Sequence, residues 1–372
     1  MSESIPAGIP QTEARPAART TARDLVQLAK PRITALVVFT TASGLWLAPH
    51  AALSWGKIAL TMIATVVVVA AANALNMYLE IDTDRLMTRT STRPLPAGRM
   101  GPKVALWFGL ILAAISIPVL TFGVGPVPGL LAAVALVSYV LLYTPLKRRS
   151  AAALLVGVVP GAIPPLIGWS AATGGLELPG VLLFALMFLW QVPHFLAIST
   201  FRASEYAKAG LVVQPNQPGG ERAARINSVR YTVGLWPISL LFVPLGAAGA
   251  LYFWTALVLG AMFVAAALAG LRKSAGVKWA HGLFALSLFY LTILFGVLMF
   301  DRPAEPRVSI PALAALALTS ALAVLFSELA IVVYKIRTAG GPERPAASRL
   351  LWAFIPAATL ASLAAWCAAV IR

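Results

Sequence analysis

The amino-acid sequence predicts an all-α polytopic membrane protein, and three observations carry that expectation. Of its 372 residues 59% are hydrophobic and 11% charged, with a mean hydropathy of +0.84, more apolar surface than a soluble domain of this size needs. The apolar residues fall in runs of about 20, the length that crosses a bilayer as a helix. The basic residues gather in alternate connections between those runs. A lone cysteine, Cys367, excludes an internal disulfide framework and a cysteine-rich metal site.

Residues 1–22, rich in Ala, Pro, Thr, Glu and Arg, lack the apolar core of a signal peptide and read as a disordered tail. Asp24 to Lys30 reads as a short amphipathic lead-in. Lys30-Pro31-Arg32-Ile33 then opens a first span, about Ile33–Pro49, with the proline in a first turn where its missing N–H costs nothing. Lys30 and Arg32 read as interfacial anchors unless they face the acidic stretch described below. Further spans are expected at about Ile58–Leu79, Val104–Phe122, Leu130–Leu142, Ala152–Ala172, Val181–Thr200, Val233–Ala248, Leu251–Leu271, Leu283–Phe300, Ile310–Val333 and Leu351–Ile371, about eleven in all.

The charge pattern orients these spans. With the N-terminus in the cytoplasm, 25 of the 29 Lys and Arg residues fall on the cytoplasmic side and only Lys57, Arg302, Arg307 and Arg372 fall opposite. The net charge of +16 is therefore explained by membrane topology, and nucleic-acid binding is not implied.

Every unusual polar motif lies on that cytoplasmic side. Asn76, Glu80 and Asp84 are four residues apart at the end of an apolar run, so on a continuing helix they share one face, with Asp82 close by. Acids and an amide at the end of a span are costly to place and mark a functional site; their oxygens suit a hard cation such as magnesium. A solvated loop salt-bridged to Arg85, Arg89 and Arg93 is the alternative. A second motif is Tyr143-Thr-Pro-Leu-Lys147-Arg148-Arg149. A third runs from Trp190-Gln-Val-Pro-His194-Phe195 to Phe201-Arg202-Ala-Ser-Glu205-Tyr206, with His194, Phe201 and Glu205 at helix-compatible spacing if Pro193 only kinks the helix. Between them, Pro160, Pro164 and Pro165 argue for a broken helix lining a cavity. His50 and His281 read as interfacial and as a solvated helix end.

Asn76-x-x-x-Glu80-x-x-x-Asp84 followed by Arg89-Thr-x-x-Arg93-Pro-Leu-Pro resembles the first aspartate-rich motif of the UbiA superfamily of intramembrane prenyltransferases. Lys30-Pro-Arg-Ile, Tyr143-Thr-x-x-Leu-Lys-Arg, Gly161-Ala-x-Pro-Pro-Leu-x-Gly-Trp169, Trp190-Gln-x-Pro-His194-Phe and the run from Trp279 to Phe295 resemble its protoheme IX farnesyltransferase (haem O synthase) branch, in order over about Asp24–Asp301. The resemblance implies a nine-helix UbiA-type bundle over residues 23–301 that opens to the cytoplasm of a bacterial inner membrane. It also implies transfer of a farnesyl group from farnesyl diphosphate to a vinyl group of protohaem, which is substrate and not resident cofactor, with Mg2+. Asn76, Glu80 and Asp84 would hold the metal, with Asp82 assisting or supporting the helix. Lys147 would contact diphosphate, with Arg89, Arg148 and Arg202 as weaker candidates; Tyr143 and Glu205 belong to the same substrate-binding set. Trp169, Trp190 and Phe195 would offer aromatic faces to a farnesyl cation. Two positions depart from the superfamily pattern: Glu80 stands where Asp is usual, and His194 replaces the leading carboxylate of the second motif. His194 could bind the haem iron, act as a base or satisfy a backbone carbonyl.

Residues 302–372 add an expected two-helix transmembrane hairpin beyond the resemblance. It faintly resembles that of cytochrome oxidase subunit II, without a copper domain. Its functional reading is docking to haem A synthase or cytochrome oxidase assembly components. Prenylation of an aromatic acid or quinone precursor is the enzymatic alternative; a non-catalytic assembly scaffold or transporter is the alternative of another class.

Overall fold

A computed structural model of the chain describes residues 20–49, 53–272 and 274–301. Most of the expected tail, His50 and the expected hairpin at 302–372 lie outside the described residues. The elements formed by the described residues are all helices, with no strand among them.

The first helix, α1 (Ala22–Leu28), starts where the disordered tail was expected to end. Thr21 and Asp24 form a reciprocal capping box that satisfies two N-terminal donors. Lys30 then turns the chain at φ 49°, the one non-glycine residue with positive φ among those described, and Pro31 opens α2 (Pro31–Leu47). Next come α3 (Trp55–Leu79) and the short α4 (Ile81–Arg85). Helix α5 (Pro102–Pro118) continues past its terminal proline as a π-helical turn to Val124. Helix α6 (Pro126–Val137) passes through a second π turn, Ser138–Tyr143, into α7 (Thr144–Leu146).

The remaining helices are α8 (Ala153–Thr173), α9 (Leu178–Phe201), α10 (Ala203–Lys208), α11 (Gly220–Leu240), α12 (Ala250–Ala269) and α13 (Val277–Phe300). Among the described residues, seven helices are long and apolar enough to cross a membrane, and Ile33–Leu47 is a shorter apolar one. The protein is therefore a multi-pass membrane protein.

Three expectations need correction. The span expected at Val233–Ala248 is the later part of α11, which begins at Gly220 and carries Glu221, Arg222, Arg225 and Arg230; the chain then turns, with Gly246 at φ 69°. Helix α8 is not broken at its prolines but runs through Pro160, Pro164 and Pro165. Tight packing against α2 holds it: a Cβ on Gly44 would overlap the carbonyl of Pro165, and one on Gly168 would overlap that of Thr41. The Gln191 amide of α9 supplies a further donor to this helix, 3.3 Å from the Val158 carbonyl. Finally, α9 passes through Pro193 but ends at Phe201, so Glu205 belongs to α10 and does not share one helix with His194.

Helix α8 lies between two apolar cores. Leu182, Leu186, Trp190, Leu235, Tyr252, Phe263, Tyr290 and Phe295 belong to one; Val68, Leu75, Leu120, Leu136, Ile163 and Ile167 belong to the other. The polar residues collect at one end of this bundle. There Val212 N donates to the Lys147 carbonyl at 2.8 Å, and Met87 packs with Ala209 and Leu211.

Candidate active site

The end of α3 builds the site. Its helical ladder persists through the bend at Glu80: Glu80 N donates to Asn76 O at 3.0 Å and Asp84 N to Glu80 O at 2.7 Å. Asn76, Glu80 and Asp84 are thus stacked as their spacing predicts, although α3 stops at Leu79. All three are buried, at 1%, 8% and 1% exposure, which rules out a solvated loop.

Burial of two carboxylates demands compensation, and each of the three residues meets one cation. Lys30 Nζ donates to Asn76 Oδ1 at 3.0 Å. Lys147 Nζ pairs with Glu80 Oε1, and Arg93 Nη1 pairs with Asp84 Oδ2 at 2.7 Å. The Asn76 amide also joins the acids to α7, donating to Glu80 Oε2 at 2.8 Å and to Thr144 Oγ1 at 3.1 Å. Thr144 is held for this by donating to Tyr139 O at 2.8 Å, across the π turn. The salt-bridge alternative is thus right about Arg93 and misses Lys30 and Lys147.

Electrostatics here are strong because water is scarce. Burial, reinforced by Arg93, lowers Lys30 to about 7. Burial also opposes the Lys147 ammonium, yet Tyr143 and Glu80 outweigh it and hold Lys147 above its ordinary value. Lys147 sits 4.7 Å from the centroid of the Tyr143 ring.

A second group closes over the first. Arg202 pairs with Glu205 at 2.9 Å, and the other Glu205 oxygen, Oε2, is buried with no hydrogen-bond partner. Burial raises the Tyr206 phenol, which lies within electrostatic reach of Tyr143, Arg89, Lys147 and Arg202. Arg148 donates to Thr83 Oγ1, next to Asp84. The structure therefore gathers Asn76, Glu80, Asp84, Tyr143, Lys147, Arg148, Arg89, Arg202 and Glu205 at one end of the bundle.

Two expected residues fall elsewhere. Asp82 points outward, with its side chain 84% exposed and 3.4 Å from Arg85, because it follows the bend on the opposite face from Asp84. Trp169 lies near the far end of α8, ~24 Å along the helix from its start, with Nε1 3.3 Å from Glu177 in the α8–α9 connection. Trp190 and His194 form a third locus, deeper in the bundle. His194 is buried, with Nδ1 2.7 Å from Ser287 Oγ, Trp190 4.8 Å away ring to ring and Phe195 5.7 Å away. Its partner is thus a hydroxyl of α13, not a backbone carbonyl. His281 is exposed, as expected, and stacks on Phe201 at 4.2 Å.

Lys30, Thr144 and Tyr206 are the residues that spacing did not single out for this site. Lys30 carried a signal in its position beside Pro31, but its partner is 46 residues away.

The donor set fits a hard divalent cation in chemistry: one amide and two carboxylates, all oxygen, all buried, on successive turns. Among the described residues no three His, Cys, Asp or Glu side chains come together; here two carboxylates lie with the Asn76 amide.

The model of the UbiA prenyltransferase family matches residues 37–289. The chain is 50% identical over 278 residues to a protoheme IX farnesyltransferase of Sorangium cellulosum, covering 71% of this chain and 99% of that one. A structure of a digeranylgeranylglyceryl phosphate synthase is similar in fold, with TM-score 0.65 and 17% identity over 75% of this chain and 97% of that one. A UbiA homolog from Archaeoglobus fulgidus bound to GPP and Mg2+ has TM-score 0.52 and 16% identity over 74% of this chain and 99% of that one. By the matched family model, the identity to its relative and the shared helical fold, the chain belongs to the UbiA prenyltransferase family.

Proposed function

We propose that this protein transfers a farnesyl group from farnesyl diphosphate to a vinyl group of protohaem IX, forming haem O and releasing diphosphate. The observation that carries the chemistry is the set of three buried oxygen donors, Asn76, Glu80 and Asp84, each matched to one cation, Lys30, Lys147 or Arg93. A site that holds both signs of charge out of water is suited to a divalent cation together with a polyanion. The choice of protohaem as acceptor rests on the 50% identity to a protein named for that reaction.

Asn76, Glu80 and Asp84 would hold Mg2+, which when bound supplies positive charge beside the leaving diphosphate oxygens. Lys147, Lys30 and Arg93, held beside these donors, would face the diphosphate, so that the charge formed as the allylic C–O bond breaks meets preplaced cations. Arg148, Arg89 and Arg202 line the entrance and neutralise the incoming anion. Tyr143 and Tyr206 border the diphosphate end and exclude water. Trp190, His194 and Phe195 form the aromatic locus where the farnesyl chain and the vinyl group meet; Trp169 and Asp82 take no part. The site faces the cytoplasm, as the distribution of 25 of 29 basic residues suggests, in the inner membrane of a bacterium.

The test is to express the gene in cells, extract their haems and measure mass. Addition of a hydroxyethylfarnesyl group is the expected result, lost in Asp84→Ala. Unmodified protohaem with a well-inserted wild-type protein would overturn the assignment.

A further inference from the structure

Trp190 and His194 stand one turn apart on α9 and both grip Ser287 on α13. Trp190 Nε1 donates to the Ser287 carbonyl at 2.7 Å, and His194 Nδ1 lies 2.7 Å from the Ser287 hydroxyl. That hydroxyl has one hydrogen, which it donates to the Phe284 carbonyl at 2.6 Å. It can therefore only accept from His194. In that arrangement Nδ1 carries the ring hydrogen, and the lone pair of the neutral imidazole sits on Nε2.

The rings around it keep this arrangement in place. Trp190 lies 4.8 Å from the imidazole at 26°, and Phe284 lies 4.7 Å away at 30°. Turning the imidazole over would break the Ser287 contact, while the two flanking rings hold its plane. Ser287 itself is fully buried, so its hydroxyl has no water to turn to.

We propose that Ser287 is a positioning residue that fixes His194 in its Nδ1–H form, so that Nε2 serves as the proton acceptor of the reaction. This inference rests on the haem-prenylation reading above. In that reaction the vinyl π pair forms the new C–C bond to the farnesyl C1, while the C–O pair leaves with diphosphate. The carbon beside the macrocycle is left cationic and takes a lone pair from water. The proton that this water loses passes to His194 Nε2, giving an imidazolium.

The first test reads the tautomer without requiring activity. The full chain is labelled with 15N-histidine, reconstituted in phosphatidylcholine vesicles and examined by solid-state NMR. Only three histidines are present, so the signals missing from His194→Gln identify those of His194. The wild type is expected to show protonated Nδ1 and unprotonated Nε2, Ser287→Ala a mixture of both forms, and Ser287→Thr the wild-type form. Protonated Nε2 in the wild type overturns the proposal whether or not the protein makes haem O.

The second test reads turnover. Ser287→Ala is expected to lower kcat by about 10- to 100-fold and leave KM for farnesyl diphosphate within about twofold, with most of kcat restored in Ser287→Thr. Full kcat in Ser287→Ala overturns the positioning role. If the alanine variant does not insert, the threonine variant and the wild-type spectrum still decide. A Soret band of bound protohaem that shifts in His194→Gln would assign the Nε2 lone pair to iron and overturn its role as proton acceptor.

Discussion

Lys30 and Asn76, 46 residues apart, meet at 3.0 Å where α2 begins and α3 ends. This contact explains why the chain accepts a left-handed Lys30, which would otherwise cost on the order of 1 kcal/mol or more. The turn aims the ammonium at the buried amide. Replacing Lys30 by Met should lower kcat/KM for farnesyl diphosphate by about 10²-fold, the usual scale for removing one preplaced donor from developing negative charge. Steady-state kinetics in detergent would check this, and a loss below threefold would make Lys30 a mere interfacial anchor.

The Lys147–Glu80 pair is largely buried, so removing one partner strands the other. Lys147→Met should lower stability by about 3–5 kcal/mol, and Glu80→Gln should also destabilise. The double substitution should recover much of the stability and none of the activity. Thermal unfolding monitored alongside turnover separates the two effects.

Asp82 and Asp84 are two residues apart and are expected to behave oppositely. Asp84 is 1% exposed and paired with Arg93, whereas the Asp82 side chain is 84% exposed. Asp84→Asn should abolish turnover. Asp82→Asn should stay within about twofold, because an exposed pair such as Asp82–Arg85 contributes about 0–1 kcal/mol. Equal losses in both would mean that the metal-binding face is drawn wrongly.

Chelation should stop the reaction and added Mg2+ should restore it. Glu80→Asp shortens the donor arm by one methylene without changing its chemistry. The half-saturating Mg2+ concentration should therefore rise, while Lys147 loses its close partner. A magnesium titration on both proteins measures this, and an unchanged titration would remove Glu80 from the ligand set.

Gly44 and Gly168 test how α8 stays helical through its prolines. Each sits where a Cβ would overlap a carbonyl of the facing helix. Gly168→Ala should cost at least about 1–3 kcal/mol through overpacking and reduce the yield of folded protein, with little change in KM for what remains.

The helical class, most span positions and the residues that carry charge at the site were legible in the amino-acid sequence. Apolar runs, alternate basic connections and the four-residue spacing of Asn76, Glu80 and Asp84 are local properties, and local hydrogen-bond geometry preserves them even through the bend at Glu80. The tertiary structure alone decided the partners. Lys30, Thr144 and Lys147 reach Asn76 and Glu80 from distant parts of the chain, and Ser287 reaches His194 across 93 residues. Packing also overruled one local signal. Three prolines did not break α8, because α2 lies so close against it. Spacing along the chain states which side chains share a face; which face meets which is a property of the assembled bundle.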